Sequence, residues 1–361
     1  MRIIWISDTA PAGFTTDAGY FEHHRQASMR FRVGMPARAL EALGVESAFI
    51  GLDTPAVLAH LAPGRVDAVV FSKLSTPRGP TFDAFSTAYL GTADHARAQG
   101  LPIVVDLVDN VFATDRGDFF DQLLARADAV TAASEALAEV CRQRAPLPVH
   151  SVADPVEGER APPRFAPSRA TMLSRLGLKR SAAHPLRLLW FGGQYRNFLH
   201  LAAVLPALSE LARARPIELV VIMSRDDRIL RELESARTRG LLARFVEWSL
   251  ETVAGELDRC DLVLLPGDPG DEMRAAASPN RLARALWAGR MVIASALPSH
   301  LEFREAALLA GDPAEAIRWT LAHPEQVVAR IRLGQQIVAA NYSRDAIGRR
   351  WREVLNSLRP R

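Results

Sequence analysis

Short apolar runs rich in Val and Ile recur along the chain, separated by stretches with helical periodicity. In the first half they fall at Arg2–Ile6, Ser47–Ile50, Val66–Phe71, Ile103–Asp106, Ala129–Thr131 and Val149–Val152. Runs of this length with helices between them predict buried parallel strands in a βα alternation. Several end on polar residues, notably Ser7-Asp8, Ser72-Lys73, Asp106 and Ser134. In a doubly wound sheet the ligand crevice lies at the carboxyl ends of the strands, so these endings are expected sites of chemistry. A second series opens at Leu186, with strands predicted near Leu188–Phe191, Glu218–Met223, Phe245–Trp248, Leu262–Leu265 and Met291–Ala294. Between the two series Pro155, Pro162, Pro163, Pro167 and Pro185 interrupt any periodicity, with Arg160, Arg164, Arg169 and Arg175 interspersed. That composition marks a linker.

The pattern predicts an α/β protein of two Rossmann-like, doubly wound domains, residues 1–154 and 186–340, joined by a linker over 155–185. A last helical stretch, Arg344–Leu358 within 341–361, follows the second series and is expected to return to the first domain. The length of 361 residues supports two cores, since one core seldom organises so long a chain. With 48% hydrophobic and 24% charged residues the chain is globular in type, which sets disorder aside.

Charge adds one feature. The first half is acidic and the second basic, and arginine supplies nearly all the positive charge, Lys73 and Lys179 being the lysines. A basic half suits a phosphorylated small molecule. Basic residues nowhere cluster with the aromatic spacing of nucleic-acid readers, so no nucleic-acid partner is expected. Cys141 and Cys260 lie in patterns that read as buried helix, as inert core thiols in a reducing compartment. The opening run lacks a signal-peptide h-region, and no stretch of about 18 apolar residues occurs. The expected location is therefore cytoplasmic, with at most peripheral membrane contact.

The strongest local signal is the stretch from Ala277 to Gly289. Ser278 suits an N-cap, Pro279 the first helical position and Gly289 the residue after the helix end. Arg281 would stand in the first turn, where amide groups and the positive helix end favour an anion such as a diphosphate. The same residues also describe an ordinary capped helix. A second signal is Trp190-Phe191-Gly192-Gly193-Gln194-Tyr195-Arg196-Asn197, a strand opening into a Gly-Gly turn before a helix. Neither G-x-G-x-x-G nor a P-loop is present, which weighs against dinucleotide redox chemistry and P-loop hydrolysis. In the first half, Asp17, Glu22, His23 and His24 are candidates for a base, and each also fits a charged surface helix. Arg30, Arg32 and Asp106 are candidates for acceptor binding. Asp109, three residues after Asp106, could serve chemistry or cap a turn. No D-x-D pair occurs and the histidines are scattered, so neither a metal nor another cofactor is expected.

Taken in order, Ser278-Pro279-Asn280-Arg281-Leu282, Ala285-Leu286, Trp287-Ala288-Gly289-Arg290, Val292-Ile293-Ala294-Ser295 and Leu297-Pro298-Ser299 resemble the donor-binding region of bacterial GT-B glycosyltransferases near family 4. Cys260-Asp261-Leu262-Val263-Leu264-Leu265-Pro266 upstream fits the same pattern, as do Ala127-Asp128-Ala129-Val130-Thr131-Ala132-Ala133-Ser134-Glu135 and Trp190-Phe191-Gly192. The resemblance implies the GT-B fold, with two Rossmann-like domains facing across a cleft. It implies a nucleotide-sugar donor on the second domain and a glycan, lipid-linked or protein acceptor on the first, in cell-surface glycan synthesis. Donor diphosphate and nucleotide contacts then fall to Gly192, Gly193, Arg196, Trp248, Ser278, Pro279, Asn280 and Arg281. The helix end would supply the charge that a metal supplies in GT-A enzymes. Asp17, His23 and Asp109 are the catalytic candidates. Many members of the family carry two glutamates eight positions apart, where this chain has Ala276 and Arg284, and some carry a basic residue at the place of Ala277. That departure leaves stereochemistry open, with an inverting route through Asp17 or a neighbour as one course. It also keeps two other readings in view: a nucleotide-sugar epimerase of the same architecture, and a non-catalytic binder on the same scaffold.

Overall fold

The apolar runs become the inner strands of two sheets. The computed structural model describes residues 1–7, 14–51, 54–62, 64–72, 74, 81–166, 185–193 and 195–358. Asp8, Lys73, linker residues 167–184 and Gln194 lie outside the described residues. The chain divides into two units, one made of Met1–Pro155, Asp271–Ser278 and Ala340–Arg361, the other of Val156–Gly270 and Pro279–Ala339.

The first unit holds β1 (Arg2–Ile6), β2 (Phe14–Thr15), β3 (Glu46–Ile50), β4 (Ala68–Ser72), β5 (Ile103–Leu107), β6 (Ala129–Ala132) and β7 (Val149–Ser151). Their order across the sheet is β2-β3-β1-β4-β5-β6-β7. All pairs are parallel except β2 with β3, a two-residue edge strand too short to leave a hydrophobic pattern. The second unit holds β8 (Leu186–Phe191), β9 (Ile217–Met223), β10 (Leu242–Glu247), β11 (Leu262–Leu265), β12 (Met291–Ala294) and β13 (Leu308–Leu309), in the order β10-β9-β8-β11-β12-β13 and parallel throughout. In both sheets the chain moves outward to one side and then returns past its first strand to the other. That reversal places a topological switch point beside β1 and beside β8. β10 begins three residues before its predicted start and ends one residue before its predicted end. Its edge position exposes Leu242 and Arg244, so apolar content does not follow the strand, and Trp248 lies just beyond it.

The C-terminal helix Arg344–Ser357 belongs to the first unit. Ser343 caps it by accepting from Ala346 N at 3.2 Å, and Ala346, Ile347, Trp351, Val354 and Leu355 form its buried stripe. The Trp351 ring meets Trp5 of β1 edge-on at 5.0 Å. Arg344 binds Glu22 at 2.6 Å, and Arg352 donates to the Leu43 carbonyl at 2.6 Å. Segment Asp271–Ser278 joins this unit through Ala276, which sits in its core, and through Ser134 Oγ, which donates to the Ala276 carbonyl at 2.5 Å. Asn110 Nδ2 donates to the Glu272 carbonyl at 3.3 Å.

A closed polar network stands under the carboxyl ends of β4, β5 and β6. Arg32 and Asp106 have no exposed side-chain surface. The Asp106 carboxylate accepts from Arg32 Nη2 at 2.5 Å, Arg32 Nε at 3.1 Å, Ser72 Oγ at 2.7 Å and Thr131 Oγ1 at 2.6 Å. Arg32 Nη1 also donates to the Val152 carbonyl at 2.6 Å and to Asp154 at 3.1 Å. Burial opposes the charge on Arg32, but the two carboxylates outweigh it and raise its pKa. Removing one partner strands a buried charge, so Asp106→Ala is expected to destabilise the protein by about 3–5 kcal/mol. Denaturant unfolding measures this, and an unchanged midpoint would show that the network carries no structural load.

Candidate functional site

β8 is an inner strand of its sheet, and its carboxyl end is where the second unit gathers unusual groups. The strand runs out at Phe191, and Gly192 N extends the ladder by donating to the Ile222 carbonyl at 3.0 Å. A Cβ on Gly192 would lie 2.8 Å from Cη2 of Trp190, a rigid and fully buried ring, and 3.5 Å from Arg281 Nη1. Glycine is therefore required there by close approach. Gly193 has nothing within 4 Å of a built Cβ and is exposed.

Arg281 reaches this strand end from the first turn of helix Asn280–Trp287, donating from Nη1 to the Phe191 carbonyl at 3.1 Å. The helix buries Leu282, Ala283, Ala285 and Leu286. It closes in a Schellman motif: Gly289 has φ 73°, its N–H donates to Leu286 O at 2.9 Å, and Arg290 N donates to Ala285 O at 2.9 Å. The predicted helix end is thus observed, but the predicted start is not. Pro279 is the N-cap, its carbonyl accepts the first helical bond from Ala283 N at 3.0 Å, and it makes no side-chain cap bond. Ser278, expected as the cap, lies with the first unit, and its buried Oγ has no hydrogen-bond partner among the described residues. The cap residue thus gives the positive end of the helix dipole no side-chain acceptor, and a guanidinium stands in the first turn, which suits an anion.

Sequence reasoning missed His300, which follows Ser299 of the resembling stretch in the 3-10 turn Pro298–Phe303 after β12. His300 is 6% exposed, and its Nδ1 lies 2.9 Å from the Ser295 carbonyl. Burial, with the nearby Arg281 charge acting against protonation, pushes its pKa down to about 4. The imidazole is therefore neutral near pH 7, with the proton on Nδ1, because only a donor satisfies a carbonyl. Ser295 Oγ accepts from Gly267 N at 2.9 Å, tying the loop after β11 to the loop after β12. The Ser299 hydroxyl is buried with no hydrogen-bond partner among the described residues. The available signal was positional, since each loop after a strand end at the switch point is a candidate.

The other expected residues are dispersed. Arg196 is exposed on the first turn of helix Tyr195–Ala214, and Trp248 is half-buried after β10, its N–H donating to Met223 O at 3.1 Å. Arg32 and Asp106, expected to bind an acceptor, are instead consumed by the closed network described above. Arg30 is also turned inward, with Nη1 donating to the carbonyls of His24 at 2.7 Å and Arg25 at 3.1 Å. Ser72 and Ser134 likewise serve structure, the first in the Asp106 network and the second as the cap of helix Glu135–Arg144. Asp17 caps helix Ala18–Glu22 by accepting from Gly19 N at 2.8 Å, and exposed His23 ends that helix. Glu22 is held by Arg344 and Arg38, and the pKa of His24 is lowered by burial and by Arg30. Asp109 is half-buried just past β5, its carbonyl accepting from Val111 N at 2.8 Å.

The two departures from the glutamate pair have local reasons. Ala276 occupies a core position where a carboxylate would be buried. Arg284 pairs with Glu157 at 3.1 Å, in a segment bound along the helix by Trp287 Nε1 donating to Gly158 O at 3.1 Å and Gln335 Nε2 donating to Ala161 O at 2.7 Å. Among the described residues no group of three or more His, Cys, Asp or Glu is placed to hold a metal, and no helix is long and apolar enough to cross a membrane. Cys141 and Cys260 are free and buried, and burial pushes both thiols up to about 12.

Gly192→Ala is expected to cost about 1–3 kcal/mol in thermal unfolding because the Trp190 ring cannot yield. Gly193→Ala should stay within about 0.5 kcal/mol, and equal effects of the two would contradict the packing. His300 has a folded pKa below its unfolded value of 6.5, so its contribution to stability is full above about 6.5 and is lost as pH falls toward about 4. Unfolding of the wild type and His300→Phe should therefore converge over that interval; a constant difference would place the imidazole outside the low-dielectric site.

No protein-family model matches the sequence, and no curated protein matches it. Solved structures do match the fold. HepE from Anabaena, in complex with UDP and glucose, shares 14% identity over 99% of this chain and 100% of that one, with a TM-score of 0.63. A glycosyltransferase from Rickettsia africae shares 11% identity over 98% and 97%, with a TM-score of 0.61. An alpha-glucosyltransferase in complex with UDP-glucose and DNA containing an abasic site shares 9% over 99% and 100%, with a TM-score of 0.59. The fold of this chain, two Rossmann-like units with a C-terminal helix returning to the first, is therefore that of GT-B glycosyltransferases.

Proposed function

We propose that the protein is a glycosyltransferase that moves a sugar from a nucleotide diphosphate donor to a glycan, lipid-linked or protein acceptor, in the synthesis of cell-surface glycans. The observation that carries this reading is the Arg281 guanidinium in the first turn of a helix, held against the end of β8 at Phe191. A guanidinium and a helix amino end together provide charge for a leaving diphosphate, without need of a metal. Gly192 lets the backbone of the strand end come close to the ligand, with Gly193, Arg196, Asn280 and Trp248 as the further donor contacts. The structural neighbours solved with UDP and glucose or with UDP-glucose support a nucleotide-sugar as the ligand class.

In the transfer, the bond between the sugar's anomeric carbon and the diphosphate oxygen breaks, and the diphosphate leaves with the electron pair. The acceptor oxygen forms the new bond and gives up its proton. Asp17, His23 and Asp109, in the first unit, are the groups proposed to receive it, and the acceptor binds on that unit. The work takes place in the cytoplasm.

A panel of UDP-, GDP-, CMP- and TDP-linked sugars tests the reading by thermal shift. At least one is expected to raise the midpoint, and no shift with any would sink it. Arg281→Ala is expected to weaken binding of that donor by about 1.5–3 kcal/mol, the range for a charged hydrogen bond. Titration calorimetry checks the value, and unchanged affinity would remove Arg281 from the site.

A further inference from the structure

We infer that His300 reads the sugar of the donor: its Nε2 accepts a hydrogen bond from a sugar hydroxyl. The inference rests on the donor reading above and extends it to a residue that neither sequence pattern nor comparison assigns. The ring is fixed by Nδ1–H donating to the Ser295 carbonyl at 2.9 Å, so Nε2 carries the lone pair. No hydrogen bond engages Nε2 among the described residues, although the side chain is almost wholly buried. The Ser299 hydroxyl in the same turn is buried and has no hydrogen-bond partner among the described residues, so a polar group that those residues leave unmet stands next to the imidazole in the chain.

The chemistry of a partner follows from the lone pair. A diphosphate oxygen carries no proton at neutral pH and would repel it, while Arg281, close enough to act on the charge of His300, takes the phosphate. A hydroxyl supplies the missing donor. A nucleobase N–H could do so too, but the sheet order separates the two ends of the ligand. From Arg281 at β8, Trp248, proposed above as a donor contact, stands on the β10 side, whereas His300 follows β12 on the opposite side. The group on the His300 side of the diphosphate is therefore the sugar. A neutral acceptor is also the form that discriminates, because a ligand lacking the hydroxyl leaves its lone pair unmet.

Titration calorimetry with UDP and UDP-glucose, and with GDP and GDP-mannose as a second pair, tests this. For the pair that the wild type binds, His300→Phe should weaken the nucleotide-sugar roughly tenfold and leave the nucleoside diphosphate unchanged. His300→Gln, whose amide oxygen stands near the place of Nε2, should recover most of that loss. Retained diphosphate binding shows that the variant is folded. Equal loss of both ligands, loss of the diphosphate alone, no loss of either, or a Gln variant as weak as the Phe variant would each overturn the inference. If the wild type binds a diphosphate but no nucleotide-sugar, the sugar contact falls while the anion site stands. If it binds neither member of either pair, the comparison is made with the nucleotide-sugar that raises the midpoint in the panel above and its nucleotide; if none does, the donor reading itself fails and His300 falls with it.

Discussion

The hydrogen bond from Arg281 to the Phe191 carbonyl joins the start of a helix to the end of an inner strand, and the rest of the candidate site follows from it. Beside that bond the next residue must lack a side chain, because a Cβ on Gly192 would meet the Trp190 ring at 2.8 Å, with the guanidinium in contact at 3.5 Å. Because that positive charge lies near a buried imidazole, burial and charge act together and keep His300 neutral. One interaction thus concentrates cationic charge, close backbone approach and an uncharged acceptor at the switch point of the second sheet.

The first unit handles its strand ends in the opposite manner. Its sheet has the same reversal of strand order, yet the polar residues at the ends of β4, β5 and β6 are turned on one another. Asp106 receives four donors, and Arg32 spans Asp106, Asp154 and the Val152 carbonyl. A carboxylate at that depth must be compensated in full, and once it is, nothing is left to offer a ligand. Similar topology therefore produced one strand-end cluster that closes a core and one that keeps a charged group at its margin.

The stretch Asp271–Ser278 shows how packing overrides sequence neighbourhood. It precedes the Arg281 helix directly, but Ala276 enters the core of the first unit and its carbonyl is taken by Ser134. The position where the family that the sequence resembles often places an acid is a core position here, and Arg284, at the other, pairs with Glu157. These substitutions are accommodated locally by small size in one case and by an ion pair in the other.

The two βα series, the Gly289 helix end and the Gly-Gly turn were legible in the sequence because each depends on neighbours in the chain: apolar periodicity, a positive φ that favours glycine, a strand running into a turn. The resemblance carried by Ser278–Ser299 pointed to the fold that the structure then displayed. Fate of polar groups was not legible. Arg32 and Asp106 are 74 residues apart and read as candidate binders, yet they meet in the interior. Ser278 read as a cap, but it groups with the first unit and the cap is Pro279. His300 carried no pattern of its own; its neutrality comes from enclosure by the loops after β11 and β12 and from a charge 19 positions away in Arg281. Sequence alone determined which segments are strands and helices, because those choices are made over a few residues. Tertiary structure alone decided which polar groups are spent on the core and which remain for a ligand, because burial and pairing depend on residues that only the fold brings together.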